Sequence, residues 1–265
     1  SKTIGQLFKE GKKDKTVSLK GESLKIKQET KSLSEKLNEV KIKINNILYQ
    51  IPNVPNENVP NGNTPEDNIV IFESNLNINP NANTPHWELA EKYDIIDFEL
   101  GNKITGSGFP VYKGLGAKLQ RALISFFLDC NIHFGYEEVQ VPYLVNEDSA
   151  FGTGQLPDKE GQMYSVTNHN LFLIPTAEVP ITNIFRNEII EQANLPILKT
   201  GYSPCFRREA GSYGSHVRGL NRLHQFDKVE IVRVDHPKNS YNSLELMKDQ
   251  IKSVIEKLEL PFRII

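Results

Sequence analysis

Apolar residues recur at Ile26, Thr30, Leu33, Leu37, Val40, Ile44, Ile47 and Ile51, stepping alternately by four and three, with Thr30 the one polar member. That spacing predicts a long amphipathic helix carrying a heptad seam. A single helix cannot bury such a stripe, so a second helix is expected to cover it. Ile4, Leu7 and Phe8 read as the last turns of that neighbour, with residues 11–20 as the tip, so the chain is expected to begin inside a helical hairpin. Pro52 ends the long helix, because a prolyl ring cannot continue it. Residues 52–85 hold six prolines, Pro52 included, among many asparagines, which predicts an extended linker with a short strand at 68–72.

Beyond the linker the periodicity alternates between helix and strand. Helices are expected at 86–96, at 115–133 with Leu119, Ala122, Leu123, Phe126 and Phe127 on one side, at 181–191 and at 240–258. Strands are expected at 136–143, closed by Pro142, and at 171–174, 202–209 and 223–234. Strands clustered between helices favour an α+β body over regular βαβ alternation. The expected domains are a coiled-coil arm at 1–51, the linker at 52–85 and an α+β body at 86–265.

Charge divides along the same boundary. Residues 1–50 hold twelve lysines, no arginine and six acidic residues, a balance of +6, so the rest carries −8 of the overall −2. A basic arm on an acidic body suggests an anionic polymer as the partner of the arm; a solvated Lys/Glu-rich helix face is the plainer alternative. No run of about 18 apolar residues is present, which predicts no membrane helix. The N-terminus has no signal-peptide pattern. Two cysteines without metal-ligand spacing point to a reducing, cytoplasmic setting.

Familiar nucleotide and metal signatures are missing. Gly106-Ser107-Gly108 lacks the third glycine of a dinucleotide fingerprint, and there is no Gly-Lys-Ser/Thr, His-Glu-x-x-His or Gly-x-Ser-x-Gly. The chemistry instead concentrates between Cys205 and Glu230. Arg207 and Glu209 are two apart, and Arg222, Phe226 and Glu230 are four apart, so on strands each set would share one face. A face so charged reads as the floor of a polar ligand site.

The run Cys205-Phe206-Arg207-Arg208-Glu209-Ala210-Gly211-Ser212, then Arg218-Gly219-Leu220 and His224-Gln225-Phe226-Asp227-Lys228-Val229-Glu230, resembles motif 2 of bacterial-type seryl-tRNA synthetases. Residues 116–142 resemble the class II motif 1 of the dimer interface, and Thr176-Ala177-Glu178 resembles that family's serine-binding loop. Arg208 stands where the family often has serine.

The resemblance implies an α+β class II fold, an antiparallel sheet flanked by helices with a coiled-coil arm. It implies a serine–tRNA ligase that forms seryl-adenylate from serine and ATP, with Mg²⁺, and loads tRNA(Ser), with tRNA(Sec) a further substrate where present. Arg207 would be catalytic, bridging the serine carboxylate and the α-phosphate. Thr176, Ala177, Glu178, Arg207 and Glu230 would bind serine, with Glu178 alternatively a structural pin of its loop. Arg207, Arg208, Glu209, Arg222, Leu223 and Phe226 would bind ATP, with Phe226 stacking on adenine or, alternatively, serving as a core aromatic. Lys12, Lys13 and Lys15 on the arm would grip tRNA, and no protein metal site is expected. Gly211, Ser212 and Gly214 read as a flexible loop suited to closing over ATP or meeting the acceptor end, and His216 and His224 as packing or hydrogen-bonding residues rather than catalysts. The family continues beyond Ile265 into motif 3, so this chain is expected to be a fragment, inactive alone. A homodimer through the motif 1 helix and strand is expected.

Overall fold

The computed structural model describes residues 13–75, 83–209 and 218–265. The chain divides into two units, Ser1–Val59 and Pro60–Ile265.

In the first unit helix α1 (Lys13–Leu48) runs for 36 residues, about 54 Å at 1.5 Å per residue. Residues 13–20, expected as a hairpin tip, are its first turns. The lysines and leucine there are good helix formers, and nothing short of Pro52 compels a break. The heptad seam lies in the open, with exposures from 49% at Ile44 to 65% at Leu33. Periodicity therefore fixes the helix without a tertiary contact from the described residues of this chain to bury it.

The second unit is built on a three-stranded sheet. Its middle strand β7 (Ile197–Phe206) runs parallel to β4 (Glu137–Glu138) and antiparallel to β8 (Gln225–Val234). The β7–β8 register holds for ten pairs, from Ile197↔Val234 to Phe206↔Gln225. β7 begins five residues before its expected start, because Gly201 and Pro204 disguise a strand whose laddered length is long. Pro204 is tolerated since β4 pairs only with Lys199 and Thr200, leaving no ladder bond for its missing N–H on that edge. The same shortness corrects the strand expected at 136–143. Only Glu137–Glu138 ladders, followed by Val139 N–H donating to the Thr200 carbonyl at 2.8 Å. Pro142 then ends pairing, and β5 (Leu144–Asn146) pairs antiparallel with β6 (Leu171–Leu173).

Helices cover the sheet. α2 (His86–Lys92) stops short of Ile96, which instead opens β2 (Ile96–Asp97), paired with β3 (Val111–Tyr112). α3 (Phe98–Ile104) is capped by the Asp97 carboxylate accepting from Leu100 N–H at 2.8 Å. α4 (Gly114–His133) packs on β7 and β8. Its Asn131 donates to the Thr200 hydroxyl (2.9 Å), which donates to the Glu230 carbonyl (2.8 Å). One buried chain of hydrogen bonds thus ties helix to strand to strand.

α5 (Glu147–Gly152) and α6 (Glu178–Asn183) pack together. α6 starts three residues before its expected start at 181 and ends at Asn183, not 191. Asn183 turns its amide back to the carbonyls of Val179 and Ser149 (2.8 and 2.9 Å), and Asn187 at φ +64 follows. α7 (Ser240–Lys257) closes the unit, and β9 (Arg263–Ile264) pairs with β1 (Phe72–Glu73), the strand expected slightly earlier at 68–72.

Two apolar clusters anchor the segment from Ile174 to Ile181: Val141, Ala177 and Ile181 with Val139 and Val232, and Val145, Ile174 and Val179 with Tyr143 and Phe172. Gly201, cross-strand partner of Glu230, sits where a side chain would press on the Val139 carbonyl and Ile181. Cys130 and Cys205 are free and buried; burial, before any other cause, pushes the Cys205 thiol up.

Candidate active site

β8 alternates its side chains between two destinations. Asp227 points to α4 and β7, accepting from Tyr202 Oη (2.6 Å) and from Gln120 Nε2. Burial, with that carboxylate second, holds the Tyr202 phenol well above its usual range. Phe226, Lys228 and Glu230 share the opposite face, under the loop that runs from β6 into α6.

Glu230 and Thr176 meet there. The Thr176 hydroxyl donates to Glu230 Oε2 at 2.5 Å, and Glu178 N–H reaches the same oxygen at 3.3 Å. Lys228 Nζ lies 3.0 Å from Glu230 Oε1 and 3.2 Å from Thr176 Oγ1. Lys228 is a site residue that sequence reasoning passed over, although it falls on the same period-two face as Phe226 and Glu230.

Arg207, Arg208 and Glu209 depart from the strand on which they were expected. Arg207 N–H still donates to the His224 carbonyl (2.9 Å), but Arg208 N–H turns away to the Gln162 carbonyl (2.9 Å), and Glu209 takes a left-handed φ of +46. The pairing ends because the Gln162 segment captures the backbone. Arg207 and Glu209 therefore do not share a strand face. The Arg207 guanidinium lies over the Phe226 ring (5.1 Å to the centroid), and its Nε donates to the Pro175 carbonyl (3.3 Å). Glu209 pairs with Arg222 at 3.4 Å rather than with Arg207.

These residues enclose a cleft of about 440 Å³ lined by Thr176, Glu178, Arg207, Glu209, Arg222 and Lys228, with Gln155, Glu160, Gln162 and Pro175. Its lining is mostly polar, and five of the expected site residues contribute to it. Glu230 stands behind Lys228 and Thr176, and Phe226 lies under Arg207. Ala177 and Leu223 are buried, so any ligand contact they make passes through the backbone. Arg208 lines no part of the cleft.

A second cleft of about 680 Å³ shares Glu209 and Arg222 with the first and continues past Arg218, Trp87, Asp94, Asp97 and His224. His224 is a packing residue, stacked on Phe109 (5.3 Å) and bonded to Tyr164 Oη through Nδ1 (2.7 Å). Gln162 was also unforeseen, with a buried Oε1 that has no partner among the described residues. Of the expected tRNA contacts, Lys12 lies outside the described residues; Lys13 and Lys15 fall in the first turn of α1. Gly211, Ser212, Gly214 and His216 also lie outside the described residues. No cluster of three His, Cys, Asp or Glu side chains able to hold a metal occurs among the described residues.

A paired sheet bearing an arginine, a carboxylate and a Thr-Ala-Glu loop around one polar cleft is the core of a class II aminoacyl-tRNA synthetase. The family described as "tRNA synthetase class II core domain (G, H, P, S and T)" matches residues 163–265, and "Seryl-tRNA synthetase N-terminal domain" matches residues 1–55. The "Serine--tRNA ligase" of Salinibacter ruber is 45% identical over 99% of this chain and 62% of its own length. That of Clostridium novyi is 48% identical over 82% of this chain and 52% of its own length. The seryl-tRNA synthetase of Pyrococcus horikoshii, solved in complex with ATP, superposes with a TM-score of 0.81 at 32% identity, covering 88% of this chain and 57% of that one. The chain belongs to the seryl-tRNA synthetase family, and it spans between half and two thirds of the length of these curated relatives.

Proposed function

We propose that the protein is an ATP-dependent serine–tRNA ligase acting on tRNA(Ser), and on tRNA(Sec) where that tRNA exists. The observation that carries this reading is the cleft lined by both the Arg207 guanidinium and Thr176, whose hydroxyl is bonded to Glu230 behind it. A serine carboxylate oxygen attacks the α-phosphorus of ATP, the bond to pyrophosphate breaks, and seryl-adenylate forms. The terminal ribose hydroxyl of tRNA then takes the seryl group and AMP leaves.

Both partners in the first step are anionic, so the protein must position them and offset charge. Arg207 suits that task. Nε is held by Pro175 and its face by Phe226, so the two terminal nitrogens can fork between carboxylate and phosphate oxygens. Glu230 and Thr176 would read the serine ammonium and hydroxyl, with Glu178 and the Ala177 backbone shaping the same loop. Glu209 and Arg222 would hold ATP where the two clefts meet, helped by Phe226 beneath and by the backbones near Arg208 and Leu223. Mg²⁺ would enter on the ATP phosphates, where it offsets charge.

Serine-dependent ATP–pyrophosphate exchange by the full-length protein tests this. Exchange should require serine, and alanine should support it about 10⁴-fold less well, because a buried polar pair left without a hydroxyl is costly. Glu230→Gln should depress serine exchange by at least about 100-fold, a loss of about 3 kcal/mol. Equal exchange with alanine would refute the specificity assignment.

A further inference from the structure

The Thr176 hydroxyl has no hydrogen-bonding capacity to spare. A hydroxyl offers one hydrogen and two lone pairs. The hydrogen goes to Glu230 Oε2 (2.5 Å), and the lone pairs accept from Glu178 N–H (3.2 Å) and Lys228 Nζ (3.2 Å). Lys228 also takes the other oxygen of Glu230 at 3.0 Å. It lines the cleft, whereas Glu230 does not, and its side chain is the more exposed of the two, 35% against 14%. A ligand entering the cleft therefore meets the lysine before it meets the carboxylate.

We propose that Lys228 is a resident ammonium that the α-ammonium of the amino acid must displace from Thr176 and Glu230, so that Lys228 sets affinity for the amino acid without choosing among amino acids. This rests on the reading of Thr176 and Glu230 as amino-acid ligands. Two ammonium groups on one carboxylate repel, and only one can take the second lone pair of Thr176. The flexible four-carbon stem lets Lys228 move at little cost, and Glu178 and Glu160 line the same cleft as alternative carboxylates. Every amino acid brings the same ammonium, so displacement burdens all of them equally. Discrimination is left to the side-chain hydroxyl.

The test uses Lys228→Met and Lys228→Arg in the full-length protein, with serine KM from pyrophosphate exchange and serine Kd from calorimetry. A partly exposed ion pair is weakly held, so Lys228→Met should tighten serine about three- to fivefold. Lys228→Arg, which can hold Glu230 through two nitrogens, should weaken it by a similar factor. In both variants KM for ATP and the serine-to-alanine ratio of kcat/KM should stay within about twofold. Weaker serine binding in Lys228→Met, or a ratio that moves with the substitution, overturns the proposal, since a lysine that merely supports the site or reads the side chain would give those results. Glu230→Gln in the same assays separates the two levels. If it leaves serine exchange intact, the assignment of Glu230 falls and this inference with it. If it abolishes exchange while Lys228→Met weakens serine, the displacement alone is wrong.

Discussion

Asp235 sits where β8 gives way to α7 and gathers donors from both sides. Its carboxylate accepts from Ser243 Oγ (2.6 Å), His236 N–H (2.7 Å), the Arg233 guanidinium (3.1 and 3.3 Å) and Asn239 Nδ2 (3.5 Å). The Ser243 bond first, and the others after it, pull its pKa down to about 2. A depressed carboxylate lends stability above its unfolded value near 4 and withdraws it as pH falls from there through about 2. Asp235→Asn should therefore lower the melting temperature at pH 7 and flatten its decline between about pH 4 and pH 2, as followed by circular dichroism. An unchanged acid limb would mean that Asp235 is equally well solvated in the unfolded chain. At this scale the sequence was most legible where a residue type has few uses: Arg207, Glu209, Arg222, Thr176 and Glu230 all come to one locality. It was least legible for Lys228 and Gln162, since lysine and glutamine are ordinary on any surface and only the cleft shows which way they point.

Among the elements, α1 and α7 followed from periodicity because each repeats one pattern for many turns. The short strands β2, β5 and β9 did not, since two or three residues carry no period and owe their pairing to tertiary neighbours. The boundaries that moved have local causes: capture of the Arg208 amide by Gln162, the back-turned amide of Asn183, and a β4 too short to penalise Pro204. The charge of α1 is likewise an element-scale property. With Lys12, Lys13 and Lys15 changed to glutamate in the full-length protein, tRNA(Ser) should bind more weakly. The log–log salt slope should fall by about 2 to 3, close to one unit for each phosphate no longer neutralised. Filter binding across a salt series would show it, and an affinity unchanged at every salt concentration would remove the arm from tRNA binding.

For the whole molecule, the seam of α1 and the surface of α4 raise the same question of what covers them. Leu115 and Leu119 of α4 are 76% and 56% exposed, large apolar side chains on the helix that resembles the dimer-forming motif. A homodimer through this helix, which the resemblance implies, predicts that replacing both with lysine leaves the full-length protein monomeric in sedimentation velocity at micromolar concentration. A wild-type monomer, or a variant that stays dimeric, would discount this helix as the interface. The boundary between the two units, at Val59 and Pro60, falls inside the proline-rich stretch where the charge shifts. The sheet order could not be read from the sequence, because pairing β4 with β7 joins residues far apart in the chain, and no local pattern encodes that.

Gly201 carries a further meaning for the reach of Glu230. Across the ladder from that carboxylate stands a residue without a side chain, so no cross-strand side chain opposes it. Its direction comes from Thr176, the Glu178 amide and Lys228, donors that a ligand can exchange. A carboxylate aimed in part by the Thr176–Glu178 loop can be re-aimed by changing that loop, leaving the ten-pair ladder intact. Selectivity in this cleft is thus adjustable by substitutions in the Thr176–Glu178 loop that the sheet itself would not register.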